Sequence, residues 1–253
     1  MNRRPLAGVR VVVTRPAHQS EGLCAAFQAA GATVERLPLL EVVPPADRGP
    51  LERAAAAVSA YRWLAFTSAN AVRALVDAAG GRLPAGLRVA AVGEATSRAL
   101  RRRGLEPALV TTGGGAALAA ELAAVDPGGG RVLLPAAADA RPETADLLRE
   151  SGYRVEVVVA YEKRLPPGTV GRAGELFPAG GALGWVTFTS PRIATAFAGL
   201  FTDWGVRCAG LRAASIGATT SAALRRLGVA PAAEATRPAD AALVAAVATA
   251  ARS

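Results

Sequence analysis

Short apolar runs recur along the chain, and their periodicity alternates between that of a buried strand and that of a one-faced helix. Val9 to Val13 is a run rich in β-branched residues. Apolar residues at successive rather than alternate positions predict a strand covered on both faces, as in a parallel sheet. A helical stretch comes next with Leu23, Phe27 and Ala30 on one face, stopped by Gly31 at a C′ position. Further strands are predicted at Val34–Leu37, Trp63–Phe66 and Leu87–Val92, with a helix carrying Val72, Leu75 and Val76 before the last. The same order then returns. Strands are predicted at Arg131–Leu134, Val155–Val159, Trp185–Phe188 and Arg212–Ile216, with helices over Pro142–Ser151 and around Ile193, Phe197 and Leu200.

The return is more than a likeness of pattern. Gly31-Ala32-Thr33-Val34 matches Gly152-Tyr153-Arg154-Val155 at an offset of 121 residues, and Phe66-Thr67-Ser68 matches Phe188-Thr189-Ser190 at 122. Gly93-Glu94-Ala95-Thr96-Ser97, running on to Arg101, Gly104 and Pro107, matches Gly217-Ala218-Thr219-Thr220-Ser221, Arg225, Gly228 and Pro231 at 124. The pairs Pro44-Pro45 and Pro166-Pro167 also correspond. So slow a drift of the offset marks an internal duplication, and the period is too long for a solenoid. Strand, helix, strand with glycine-marked turns gives an α/β fold: two related parallel-sheet α/β domains.

The chain has 253 residues, length for two domains of about 120 residues or one large one. Hydrophobic residues at 51% and charged residues at 19% allow a sizeable core and exclude a disordered chain. The net charge is +9, and Lys163 is the only lysine, so the basic side is almost pure arginine. That charge raises a nucleic-acid reading. The arginines, however, are scattered, and Arg101-Arg102-Arg103 and Arg225-Arg226 fall at predicted helix ends, where cations complement the dipole. Aromatic residues at 5% offer no stacking platform for single strands. An acidic small molecule accounts for the charge instead, and neither a nucleic acid nor a membrane is expected as a partner. One histidine and two cysteines exclude a clustered zinc site and a disulfide-built fold, and point to a reducing compartment. Apolar runs such as Ala241 to Ala251 fall short of the roughly 20 residues that a span needs. Arg3 and Arg4 resemble the start of a signal peptide, but Arg10 interrupts the apolar stretch after them. The expectation is a cytoplasmic protein, and a monomer, since no long amphipathic stripe presents itself.

In parallel sheets ligands bind beyond the carboxyl ends of the strands, so those ends carry the candidate chemistry. Thr14-Arg15-Pro16 closes the first strand. Thr67-Ser68 and Thr189-Ser190 each close a strand and open a helix, the second with Pro191 at the first helical position. Gly93 and Gly217 also end strands, with Thr96 and Thr219-Thr220 just beyond them. Each hydroxyl alone is a plain cap. Four hydroxyl-and-glycine helix starts in duplicated positions favour anion binding at free N–H groups. Other chemistries fail. Thr112-Gly113-Gly114-Gly115 lacks the Gly-Lys-Ser/Thr ending of a phosphate loop, and this cluster and Gly128-Gly129-Gly130 read as turns. His18 has no nucleophile elbow to serve, and Cys24 and Cys208 read as small core or near-surface residues. Acidic residues are sparse at the strand ends, which disfavours paired-carboxylate or metal-assisted hydrolysis. An enzyme built this way works by orientation and backbone hydrogen bonds.

Taken in order, these residues resemble the uroporphyrinogen-III synthase family across nearly the whole chain. The resemblance is carried by Val12-Val13-Thr14-Arg15-Pro16, Gly31 to Val34 leading to Leu37-Pro38-Leu39, Phe66 to Val72 with Asn70, and Val92 to Thr96. It continues through Leu133-Leu134-Pro135 with Arg141, Ala160-Tyr161, Phe188 to Pro191, and Ile216 to Thr220. The resemblance implies closure of the linear tetrapyrrole hydroxymethylbilane to uroporphyrinogen III, with inversion of the last pyrrole ring and loss of water. It implies no metal and no organic cofactor. It further implies a discontinuous domain of residues 1–38 and 167–253 and a second of 46–156. Two linker strands, 39–45 and 157–166, join them, and the site lies in a cleft between the domains. Thr67, Ser68, Asn70 and Thr96 would line one side, and Thr189, Ser190, Gly217, Thr219 and Thr220 the other, with Arg15 and Gly93 among the substrate-binding residues. Tyr161 matches a family tyrosine near the cleft. Its duplicate position is Leu40, so it breaks the internal symmetry, and its phenol suits a hydrogen bond to the departing hydroxyl. One departure stands out: Ala136-Ala137-Ala138 come after Leu134-Pro135, where many relatives carry arginine. Either a carboxylate contact is lost there or Arg141 supplies it. The rival reading is a non-catalytic bilobed module that senses an acidic small molecule.

Overall fold

The computed structural model describes residues 4–178, 184–201 and 210–252. Cys208 lies outside the described residues. The Cα framework divides into two compact units, Met1–Glu41 with Arg164–Ser253 and Val42–Lys163, called here the split unit and the central unit.

The split unit holds a five-stranded sheet. β1 (Arg10–Val13) and β2 (Thr33–Arg36) come from the start of the chain, and β9 (Trp185–Phe188), β10 (Arg212–Ser215) and β11 (Ala233–Glu234) from its end. The order is β11-β10-β9-β1-β2 and every pairing is parallel. Consecutive apolar residues serve opposite faces. Val11 and Val13 pack with Leu23 and Phe27 of helix α1 (Ala17–Ala29) and with Leu243 and Val247 of α10 (Asp240–Ala250). Val12, Val186 and Phe188 pack on the other side against α7 (Thr169–Leu176), α8 (Pro191–Ala198) and α9 (Ala218–Arg226). There Phe197 lies edge-on to Phe177 and Phe188, with ring centroids at 5.2 and 5.4 Å. Both faces are therefore dry, as the unbroken valine run requires.

The central unit holds a six-stranded sheet made of β3 (Glu41–Val43), β4 (Trp63–Phe66), β5 (Val89–Val92), β6 (Leu109–Thr111), β7 (Gly130–Ala137) and β8 (Tyr153–Arg164), in the order β3-β8-β7-β4-β5-β6. Helices α2 (Gly49–Ala56), α3 (Ala69–Ala78) and α4 (Gly93–Arg101) cover one face, where Leu64, Phe66, Val72, Leu75 and Leu100 share a core. Helices α5 (Gly114–Val125) and α6 (Glu143–Glu150) cover the other, with Trp63, Leu118, Leu122, Val132 and Leu148 between them and the sheet.

Strand for strand, β2-β1-β9-β10-β11 matches β8-β7-β4-β5-β6. With β3 set aside, each sheet takes two strands from one sequence copy and three from the other, so neither copy makes a sheet alone. In both sheets the chain reverses its direction of travel between the first strand of one copy and the third of the other. That is the topological switch point, where such sheets bind ligands. Among the described residues β3 has no counterpart in the split unit.

Several elements differ from their sequence expectation. β7 does not end at Leu134 but continues through Pro135 to Ala137. It pairs with β4 at Val132 and Leu133, so Pro135, which has no N–H to donate, lies where β7 has β8 beside it and β4 no longer. β8 runs on past Val159 to Arg164, twelve residues in one strand, and keeps pairing with β7 as far as Tyr161 across a bulge at Ala136/Ala137. β2 starts and stops one residue earlier than expected, before Leu37-Pro38, and β5 starts two residues later, at Val89. The glycine run at 113–115 is not a mere turn: Gly114 and Gly115 open α5, and a Cβ on Gly115 would collide with the side chain of Thr144 in the first turn of α6.

Candidate active site

The amino and carboxyl edges of the central sheet have different chemistry. At the amino edge Asp126, just past α5, accepts hydrogen bonds from Arg62 Nε at 2.6 Å and Nη2 at 2.5 Å, from Trp63 Nε1 at 2.7 Å and from Arg88 Nη1 at 2.8 Å. The Arg62 hydrogen bonds come first, then the indole donor, in holding its carboxyl well below the usual carboxylate range. Nearby, burial and then the Glu156 hydrogen bond push the Tyr61 phenol up to about 12. These groups satisfy one another and lock strand starts to a helix end.

The carboxyl edge is where the candidate residues collect. Ser68, just after β4, is the N-cap of α3, and its Oγ accepts from Asn70 N at 3.1 Å. Tyr161, on β8 and only 5% exposed, donates from its hydroxyl to the same Ser68 Oγ at 3.0 Å. Lys163 Nζ lies 5.6 Å from the Tyr161 ring centroid. Asn70 Oδ1 in turn accepts from Arg73 Nη2 at 3.2 Å. A serine oxygen accepts at most two hydrogen bonds and donates one. With Tyr161 and Asn70 N both directed at it, Ser68 keeps its own hydrogen for a third partner. Thr67 beside it is exposed.

Gly93 opens α4 with φ +77°, a left-handed conformation that a side chain would oppose, and beyond its chain neighbours and its own helix backbone no atom lies within 4 Å of where its Cβ would be. No side chain caps α4, so its first N–H groups stay available. Thr96 does not take part in that opening. It is buried at 3% exposure, because the fourth residue of α4 turns onto the face that carries Leu100 into the core. Arg141 is exposed on the loop between β7 and α6. Ala136 is buried within β7, opposite Val159, while Ala138 is exposed.

The split unit repeats the arrangement with changes. Ser190 caps α8 and accepts from Ile193 N at 3.3 Å, with Thr189 half-buried beside it. α9 has Gly217 as its N-cap residue and no side-chain cap, and Thr219 is exposed at its start. Thr220 is buried for the same helical reason as Thr96, on the side of Leu224. Arg15 is engaged by Asp240, at 2.8 Å, which holds it against the start of α10. At the switch point Thr14 Oγ1 donates to the Thr187 carbonyl and Thr187 Oγ1 to the Val12 carbonyl, tying β1 to β9. Where the central unit has the Tyr161–Ser68 bond, this unit offers Leu40, packed against its core. The structure thus gathers Tyr161, Ser68 and Asn70 into one cluster, gives Gly93, Gly217 and Thr219 to open helix starts, and withdraws Thr96 and Thr220. The sequence reading missed Arg73, whose only sequence signal is its place three residues after Asn70 on a helix. Among the described residues no group of three or more His, Cys, Asp or Glu is placed to hold a metal.

Known proteins of this kind exist. A family model, uroporphyrinogen-III synthase HemD, matches residues 21–245. The chain is 31% identical over 241 residues to the uroporphyrinogen-III synthase of Synechococcus elongatus, an alignment that covers 90% of this chain and 89% of that one. Among solved structures, a mutant uroporphyrinogen III synthase of Thermus thermophilus has a TM-score of 0.68 at 23% identity, over 96% of this chain and 99% of that one. The uroporphyrinogen-III synthetase of Helicobacter pylori has 0.63 at 20%, over 94% and 97%. At those identities the structures speak for the fold alone. The family model and the cyanobacterial relative reach further, since both span most of the duplicated chain whose strand ends have just been described: the chain belongs to the uroporphyrinogen-III synthase family.

Proposed function

We propose that this protein closes hydroxymethylbilane to uroporphyrinogen III, inverting the last pyrrole ring and releasing water. One observation carries the reading beyond family membership: the hydrogen-bond chain from Tyr161 through Ser68 at the carboxyl edge of the central sheet. The departing hydroxyl needs a donor as its bond to carbon breaks. Ser68 has one hydrogen left to give, and Tyr161 stands behind it to stabilise the oxygen that gives it. Such assistance contributes about 10²- to 10⁴-fold in rate.

Ring closure itself makes a carbon–carbon bond without change of redox state, so it calls for no metal or organic cofactor. Its difficulty is geometric, because the open chain must be folded so that the inverted closure outruns the direct one. Open helix starts at α4 and α9 suit the acetate and propionate arms of the substrate, holding carboxylates by backbone N–H groups. The net charge of +9 favours the encounter with an anion of this kind. Thr67, Arg141, Thr189 and Ser190 complete the proposed binding set, and the reading takes the protein as a cytoplasmic monomer. Among the described residues no helix is long and apolar enough to cross a membrane.

The test is whether the purified protein speeds the consumption of hydroxymethylbilane above its spontaneous rate. Acceleration in proportion to protein concentration is expected. Saturable binding with no acceleration would replace the enzyme by a bilobed sensor of an acidic ligand.

A further inference from the structure

We propose that the groove beside Tyr161 in the central unit is a subsite for one pyrrole ring of the substrate, with Arg73 and Arg48 receiving its carboxylate arms. The inference rests on the reading under Proposed function and adds a place and two residues to it. The groove is open to solvent, has a cavity volume of about 150 Å³ and is lined entirely by the central unit. Val42, Pro45, Leu51 and Ala74 form apolar walls, and Ala160 and Tyr161 line it as well. Mostly apolar walls with a few polar groups are the usual build of a small-ligand site. A flat ring with two short acidic arms fits that division between wall and polar group.

The two cations are placed for those arms. Arg73 is exposed, and one of its five donors is used by Asn70 Oδ1, so the guanidinium is oriented and still able to grip a carboxylate. Arg48 has Glu52 at 3.5 Å, an exposed pair of the kind that holds weakly. Asp77 also lines the groove and would repel an anion, but Arg103 Nη1 binds it at 2.9 Å and offsets its charge. Asn70 joins the groove to the site, since its backbone N–H donates to Ser68 and its side chain meets Arg73. The duplication supplies an independent argument. β3 and the Pro44-Pro45 segment wall the groove, and among the described residues β3 is the strand without a counterpart in the split sheet. At the duplicate positions the chain has Leu40 for Tyr161 and Thr195 for Arg73. The extra strand, the tyrosine and the arginine are found together, in one unit only.

The experiment measures binding of a monopyrrole bearing one acetate and one propionate arm, by titration calorimetry, to the wild-type protein and to Arg73→Ala, Arg48→Ala and Arg73→Lys. KM and kcat with hydroxymethylbilane are measured on the same proteins. Both arginines are exposed, so their replacement leaves the core intact. Wild-type protein is expected to bind the monopyrrole, and each alanine variant to weaken it about tenfold. KM should rise by a like factor, most of the effect falling there rather than on kcat, with partial recovery in Arg73→Lys. A wild-type protein that does not bind the monopyrrole, or alanine variants with wild-type affinity and KM, would overturn the subsite. Arginine-dependent binding in a protein that does not turn over hydroxymethylbilane would support the subsite and overturn the enzymatic reading instead.

Discussion

The phenol of Tyr161 does not present its proton to open space; it donates it to Ser68. Two donors converge on that serine oxygen, which leaves the serine hydrogen as the outward-facing one. Tyr161→Phe keeps the ring in its buried place and deletes one hydrogen bond. Turnover should fall by about 10²- to 10⁴-fold with little loss of unfolding stability and with isomer III still formed. Wild-type rates would demote the tyrosine to a packing residue, and a switch to isomer I at full rate would make it a ring-positioning group. The opposite edge of the sheet makes a prediction about acid. The Asp126 carboxyl titrates lower when folded than when unfolded, so its contribution is present above the ordinary carboxylate range, near pH 4, and is lost as pH falls towards the folded value. Denaturant unfolding from pH 7 downwards should therefore show Asp126→Asn destabilised at neutral pH and converging on wild type in acid. Parallel curves would deny the ion cluster that role. Tyr161 stands out in the sequence as the match to a family tyrosine and because its duplicate position holds Leu40. Its bond to Ser68 was not, because the two lie 93 residues apart and only the strand order joins them.

Helix starts were legible as elements and less so as side chains. Phe-Thr-Ser at a strand end predicts an N-cap, and Ser68 and Ser190 both accept an N–H of their own helix. Thr96 and Thr220 share that neighbourhood in sequence, but one helical turn separates a residue at the mouth from one against the sheet, and periodicity near a helix start is too short to tell them apart. The length of β8 was hidden for a different reason: the stretch from Ala160 to Arg164 after the valine run continues a strand as readily as it begins a linker. Ser68→Ala and Ser190→Ala each remove one cap, which typically costs about 0.5–2 kcal/mol of stability. Their kinetics should diverge. Ser68→Ala should lose rate on the scale of Tyr161→Phe, and Ser190→Ala much less, because backbone N–H groups at that start can still hold a carboxylate. Equal losses in the two variants would mean that both serines serve binding and neither serves the leaving group.

The molecule joins two sequence copies by exchanging their halves, so that each sheet is closed by strands from both. The central unit is continuous in sequence and has its own core on each face of its sheet. A fragment of residues 42–163 should accordingly fold alone and unfold cooperatively, as circular dichroism in denaturant would show; a disordered fragment would mean that its cores are insufficient without the rest of the chain. The repeat and the parallel-sheet class were plain from spacing, whereas the exchange of halves leaves no mark on either copy's own pattern. What the whole chain does is tested most directly by the isomer it makes. Hydroxymethylbilane left to itself closes to the symmetric isomer I. With increasing wild-type protein, the fraction of isomer III in the product should rise until it accounts for nearly all of it. An isomer mixture that stays the same at every protein concentration would contradict the proposed function.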